Sequence, residues 1–189
     1  MTNLAVFASG TGSNARKIME YFADRENIRV ALVVSNNPEA GVLKTAHEFG
    51  IPSHITTRRE FTQTQDILKV FNAYSVDFVA LAGFLWLVPP YLVQAFSNKI
   101  LNIHPALLPK YGGKGMYGIH VHRAVKAAGE TESGPTIHFV NEQYDEGNIV
   151  FQTAVKISPS DTAEDIQRKV LAAEHENYAR VIEEVINHS

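Results

Sequence analysis

A doubly wound α/β fold built on a mostly parallel sheet is what this chain of 189 residues predicts. Three features carry that expectation. Strand-like and helix-like segments alternate along most of the chain. The strand-like segments are continuous apolar runs rather than alternating ones, as in strands covered on both faces. The first of them ends in a Gly-rich turn that opens directly into a helix.

Taken in order, Leu4 to Ala8 is a short apolar strand, Ser9 to Asn14 the turn, and apolar residues then recur at helical spacing through Tyr21 and Phe22. Ile28 to Val34 reads as a second buried strand, Gly41 to Phe49 as a helix and Ile51 to Ile55 as a third strand. Glu60 to Tyr74 is predicted to be one helix, with Phe61, Ile67, Leu68 and Phe71 on a single face. Phe78 to Ala82 is the most apolar strand and ends at Gly83, and Pro89 and Pro90 open another helix. Leu101 begins a strand that ends at His104, and Ile119 to Ala128 reads as a helix.

The second half changes character. Gly134 to Val140 and Ile149 to Ile157 are extended segments joined through the polar loop Asn141 to Asn148, so an antiparallel edge is expected. Asp161 is expected to cap a long final helix, with Glu164 in its first turn and Ile166, Val170, Tyr178, Val181, Ile182 and Val185 as the buried stripe. No repeat or linker interrupts the chain, which is read as one domain over 1–189.

Composition narrows the function. With 45% apolar and 20% charged residues the chain has the make-up of an ordinary globular protein. The formal net charge of -3 and the dispersed Lys and Arg give no track for a nucleic-acid backbone. There are 0 cysteines, which excludes disulfides, a thiolate nucleophile and Cys-containing metal sites, and suits a reducing, cytoplasmic setting. Met1 leads straight into a short apolar run with no basic region or cleavage site, so neither secretion nor a membrane span is expected.

Three constellations are candidates for chemistry. The turn Gly10-Thr11-Gly12-Ser13-Asn14 lets backbone N–H groups and a helix N-terminus approach a phosphate. Ala15 stands where a dinucleotide fingerprint has its third glycine and no P-loop Lys follows, which disfavours a full NAD site. Asn102 and His104 lie two apart on a strand and so share a face. A carboxamide can donate to a developing oxyanion there while an imidazole exchanges protons near neutral pH. His138 to Gly147 runs from an extended segment into an acidic loop in which a carboxylate could orient His104. Each has a plain structural counterpart: a tight turn with a cap, a strand end satisfying local backbone, and a simple Asp-Gly turn. Spacing alone leaves these open.

Two further clusters have a functional and a plain reading alike. His120 and His122 are two apart on an expected helix, where they do not face one another, so a metal pair is not expected. Phe84 to Val88, with the chain's single Trp, suits an apolar slot for a flat heterocycle.

Gly10 to Asn14, Ala82-Gly83-Phe84, NIHPALLPKY at 102–111, HFVNEQYDEG at 138–147 and AEHENY at 173–178 together resemble the folate-dependent formyltransferase family. The likeness spans nearly the whole chain in order. It implies a Rossmann-like formyltransferase fold and transfer of the formyl group of 10-formyltetrahydrofolate, without metal, to the amine of glycinamide ribonucleotide. By the same resemblance Asn102, His104 and Asp145 are catalytic, Asp145 raises the His104 pKa, and His138 supports Asp145. Gly12, Ser13 and Asn14 take the acceptor phosphate, and Glu174 its ribose hydroxyls. The pterin lies against Leu85, Trp86, Leu87 and Val88 and against Val140, Asn141, Glu142, Gln143 and Tyr144.

Some positions depart from the family pattern. Trp86 and the neighbourhood of Thr64 lack basic residues frequent there, Ala106 replaces a usual Ser, and Gly112 to Gly118 is longer than usual. That loop is either a mobile lid, with Lys114 reaching an anion, or a plain surface loop. Small-molecule substrates and a monomer or homodimer, with no nucleic acid or membrane partner, complete the expectation. A sugar-nucleotide formyltransferase or a non-catalytic phosphate-binding module is the alternative.

Overall fold

The computed structural model describes residues 1–188. Its elements in chain order are β1 (Thr2–Phe7), α1 (Ser13–Phe22), β2 (Ile28–Ser35), α2 (Gly41–Glu48), β3 (Ser53–Ile55), a π-helical turn (Glu60–Thr64), α3 (Ile67–Ala73), β4 (Phe78–Leu81) and α4 (Pro90–Ala95). Then follow β5 (Ile100–His104), α5 (Ile119–Ala127), β6 (Glu132–Ser133), β7 (Thr136–Phe139), β8 (Ile149–Gln152), β9 (Val155–Lys156) and α6 (Ala163–Asn187). One seven-stranded sheet runs β3-β2-β1-β4-β5-β7-β8. It is parallel from β3 to β5, and β7 and β8 add antiparallel pairs at one edge.

The alternation within β1 shows why the strands read as unbroken apolar runs. Leu4 and Val6 face a core completed by Ile18 and Met19 of α1 and by Tyr178 and Ile182 of α6. Ala5 and Phe7 face the opposite core, with Phe61, Phe71 and Leu92. Both faces are covered, and each large apolar side chain so buried contributes roughly 1.5–3 kcal/mol. The Tyr178 hydroxyl, buried under the sheet, lies 2.9 Å from the Leu81 carbonyl and 3.1 Å from that of Leu101. This pins α6 to the carboxyl end of β4 and to β5 one residue before Asn102.

Three expectations need correction. The helix over Glu60 to Tyr74 is broken: Gln65 takes a left-handed φ of 59° between the π turn and α3. Thr62 and Thr64 are stiff, β-branched residues whose hydroxyls bond locally, to the Arg58 carbonyl and the Asp66 carboxylate, in competition with a regular helix. The cap of α6 is Thr162 rather than Asp161. Its hydroxyl accepts from the Asp165 N–H at 3.1 Å while Asp165 accepts from the Thr162 N–H at 2.9 Å, a capping box. Asp161 instead accepts from the Ser158 N–H and pairs with Lys169. The extended segment over Ile149 to Ile157 is divided, so that β8 joins the main sheet beside β7 while β9 pairs with β6, a short strand that precedes the other expected segment. Pro135, with no N–H to give a ladder, stands between β6 and β7.

Candidate active site

Strand order reverses between β1 and β4, and in such sheets the crevice at the carboxyl ends beside the reversal is the ligand site. A cavity of about 560 Å³ opens there, within the range of small-molecule sites. The turns after β1 and β4 are tied to each other: the Ser9 N–H donates to the Gly83 carbonyl at 3.0 Å, and the Ser9 hydroxyl accepts from the Leu85 N–H at 3.0 Å. The end of β5, the loops over 112–118 and 140–145 and one face of α6 close the remaining walls.

Asn102, His104, His138 and Asp145 all reach this cavity. Antiparallel pairing sets Asn102 opposite His138, and the loop after β7 folds back to deliver Asp145. That return requires Gly147, since a Cβ there would stand 1.6 Å from the Phe139 carbonyl oxygen. Asp145 accepts the Gly113 N–H at 2.9 Å, lies 3.5 Å from His104 Nδ1 and 3.6 Å from His138 Nε2, and takes a long 3.4 Å contact from the Asn102 amide.

Protons can be placed from these partners. His104 Nε2 lies 2.8 Å from the Tyr111 carbonyl and must donate to it, so the proton this ring gains or loses is on Nδ1, beside Asp145. His138 Nδ1 likewise donates to the Phe139 carbonyl, leaving Nε2 to accept from Asn102 at 3.1 Å. Burial holds the His104 pKa below its ordinary value, against the upward pull of Asp145 and of the Tyr111 carbonyl. The expected raising influence of Asp145 is present, but desolvation outweighs it and the net direction is downward. For Asp145 burial pushes up, yet His138, His104 and the Gly113 N–H together hold the carboxyl below its ordinary value.

At the opposite wall Ser13 and Asn14 begin α1, whose cap residue Gly12 makes no side-chain cap bond. The N-terminus of α1, with the positive end of its dipole, thus borders the cavity through Ser13 and Asn14. Gly12 itself does not line the cavity. It takes φ 74° and its Cα faces Val42, which a Cβ would meet at 2.6 Å, so its contribution is close packing of the turn on α2. The Asn14 amide donates to Glu174 at 2.6 Å, and burial pushes that carboxyl up to about 7 against the lowering effect of Asn14. Gln167 and Leu171, on the same face of α6 as Glu174, also line the cavity and were not singled out by sequence.

Leu85, Trp86, Leu87, Val88, Val140, Gln143 and Tyr144 form the remaining, more apolar end. Asn141 and Glu142 lie outside the lining: the Asn141 side chain accepts from the Gln143 N–H, and Glu142 meets Gln94 at the surface. The Arg58 guanidinium stands 5.1 Å from the centre of the Trp86 ring, placing a cation at this end. Lys114 lines the cavity from the 112–118 loop. Among the described residues no group of three or more His, Asp or Glu is placed to hold a metal ion, and no helix is long and apolar enough to cross a membrane.

Comparison with known proteins is in keeping with this geometry. A family model described as formyl transferase matches residues 2–182. The chain is 49% identical over 185 residues to a chloroplastic phosphoribosylglycinamide formyltransferase of Arabidopsis thaliana, with 95% of this chain aligned. It spans 63% of that protein's length. It is 35% identical to the phosphoribosylglycinamide formyltransferase of Bacillus subtilis, covering 98% of this chain and 95% of the other. The crystal structure of the Anaplasma phagocytophilum enzyme of the same name superposes with a TM-score of 0.88 at 34% identity, over 96% of this chain and 84% of that one.

Proposed function

Because the chain belongs to the formyl transferase family, we propose that it transfers the formyl group of 10-formyltetrahydrofolate to the amine of glycinamide ribonucleotide, a step in purine biosynthesis. The observation that carries the proposal is the convergence of Asn102, His104 and Asp145 on one wall of a cavity whose opposite wall is a helix N-terminus fit for a phosphate. Relatives named for this activity, three of them cited above, support it. One formyltransferase domain over 1–189 is part of the reading, since a single main sheet joins the segments that carry these residues.

In the proposed reaction the acceptor's phosphate sits at Ser13 and Asn14 and its ribose hydroxyls at Glu174, which sets its amine toward β5. The amine attacks the formyl carbon, and the formyl oxygen becomes an oxyanion. Asn102 supplies an N–H to that oxygen. Both its amide protons are engaged in the free protein, at 3.1 Å with His138 and 3.4 Å with Asp145, and the longer contact is the one that re-aims. The ammonium proton passes to His104 Nδ1, where Asp145 stabilises the imidazolium. His104 then protonates the folate nitrogen as its bond to carbon breaks, releasing tetrahydrofolate and the formylated amine. His138 accepts from Asn102 and holds it in place, and if protonated on Nε2 it would pair with Asp145 3.6 Å away.

The pterin is assigned to the Leu85 to Val88 wall and the loop from Val140 to Tyr144, with Arg58 a cation for the carboxylates of the donor's tail. A cytosolic monomer or homodimer acting on small molecules completes the proposal, and a cysteine-free chain suits that reducing compartment. The test is absorbance of 10-formyltetrahydrofolate consumption with glycinamide ribonucleotide beside an amino-sugar nucleotide. Consumption with the first alone is expected. Turnover with the sugar nucleotide alone would give the chain a different acceptor, and phosphate-ligand binding without donor consumption would make it a binding module.

A further inference from the structure

His122, at the end of the first turn of α5, has no part in the chemistry above, yet it is 2% exposed and lines the cavity. Neither ring nitrogen has a hydrogen-bond partner, and Nδ1 is sealed from water. Buried polar groups are nearly always paired, so an imidazole held this way in a cavity wall has room for a partner that the folded chain does not supply. Nε2, equally unpaired, is not sealed and is the atom left for a ligand.

The tautomer follows from the same facts. A buried N–H without an acceptor is rarer and costlier than a bare acceptor, so the proton belongs on Nε2 and Nδ1 keeps the lone pair. Burial pushes the ring down to about 4, with the charge of nearby His104 adding to it, so the ring is neutral at working pH and offers one donor. Both imidazoles line the one cavity. Packing of α5 on α6 brings His122 to the wall that carries Gln167, Leu171 and Glu174.

Resting on the formyl-transfer reading above, we propose that His122 is an acceptor-binding residue whose Nε2–H donates to the carbonyl of the amide joining the glycine unit to the ribose. In that reading the phosphate has the α1 N-terminus, the ribose has Glu174 and the amine has His104, while the amide between ribose and amine has nothing. His122 lines the same cavity as Glu174 and His104, which hold the amide's two neighbours. A neutral donor serves here better than a cation, which would oppose both the acceptor's ammonium and the imidazolium at His104.

The test compares His122→Leu, which keeps bulk and removes the donor, with His122→Gln, which returns an N–H at about the reach of Nε2. The acceptor's KM is expected to rise about tenfold or more in His122→Leu, the loss of one productive hydrogen bond. The donor's KM should stay where it was, and His122→Gln should recover much of the difference. Since no satisfied bond is lost, the ligand-free melting temperature of His122→Leu should match or exceed that of the wild type, while the rise on adding glycinamide ribonucleotide shrinks. An unchanged acceptor KM in His122→Leu with an active wild type would overturn the assignment alone. So would equal rises in both KM values with a fall in the ligand-free melting temperature, the mark of a structural role. A wild type that forms no product from glycinamide ribonucleotide would overturn the formyl-transfer reading and this assignment with it.

Discussion

Replacing Asp145 by Asn removes one charge and little else. The side chain keeps its size and an oxygen for the Gly113 N–H, but His104 loses the carboxylate 3.5 Å from Nδ1. At that distance and an effective dielectric constant of about 20, the attraction between the carboxylate and an imidazolium is about 5 kcal/mol. A tenfold rate change corresponds to about 1.4 kcal/mol, so turnover is expected to fall by roughly three orders of magnitude, the scale of a disabled proton-transfer group. The direction of the His104 shift is also fixed. Burial already holds that ring below its ordinary 6.5, and Asp145 opposes burial, so Asp145→Asn must lower it further. Donor consumption at saturating substrates gives the turnover, a proton NMR titration of His104 gives the shift, and circular dichroism checks the fold. Turnover within tenfold of the wild type, or a His104 midpoint that moves up, would refute the role given to Asp145.

Glu174→Gln should make stability less dependent on pH. Below 4.5 the carboxyl is protonated in folded and unfolded chains alike; between 4.5 and about 7 only the unfolded chain ionises, so wild-type stability falls as pH rises through this window. The loss levels off at about 3 kcal/mol above that window; thermal melts from pH 4 to 8 should show it in the wild type and not in Glu174→Gln, and parallel curves would contradict it. Tyr178→Phe leaves the Leu81 and Leu101 carbonyls without their shared buried donor and should cost about 1–3 kcal/mol in urea unfolding. A midpoint that does not move would show the hydroxyl to be idle. Gly147→Ala pushes a methyl into the Phe139 carbonyl and should lower both stability and turnover by displacing the loop that carries Asp145; full activity would refute that link.

The parts of the fold legible in the sequence were those whose burial is two-sided. β1, β4 and β5 announce themselves as apolar runs because both faces are covered, and the Gly-rich turn after β1 marks the helix start that becomes the phosphate wall. Asn102 and His104 were legible for a local reason, a shared strand face, while Asp145 joined them only through resemblance, because its approach depends on the Gly147 return across 43 residues from Asn102. The break at Gln65 was hidden since Phe61, Ile67 and Phe71 keep a helical spacing across it and all reach one core. The Thr162 capping box was in plain view as Thr-x-x-Asp, and Asp161 drew attention one position too early. Gln167 and Leu171 fall about two turns and nearly one before Glu174, a spacing that identifies them only once Glu174 is known to face a cavity. The net direction at His104 was beyond the sequence, since it turns on how completely the ring is desolvated.

Direct transfer at Asn102 and His104 is tested most plainly by single turnover with 10-formyltetrahydrofolate carrying carbon-13 in the formyl group, followed by carbon-13 NMR. With glycinamide ribonucleotide present, label should leave the donor and appear one for one in the formyl amide of the product, at a rate cut by orders of magnitude in Asn102→Ala and His104→Ala. Label released only as formate, or transferred at the wild-type rate by His104→Ala, would contradict the mechanism.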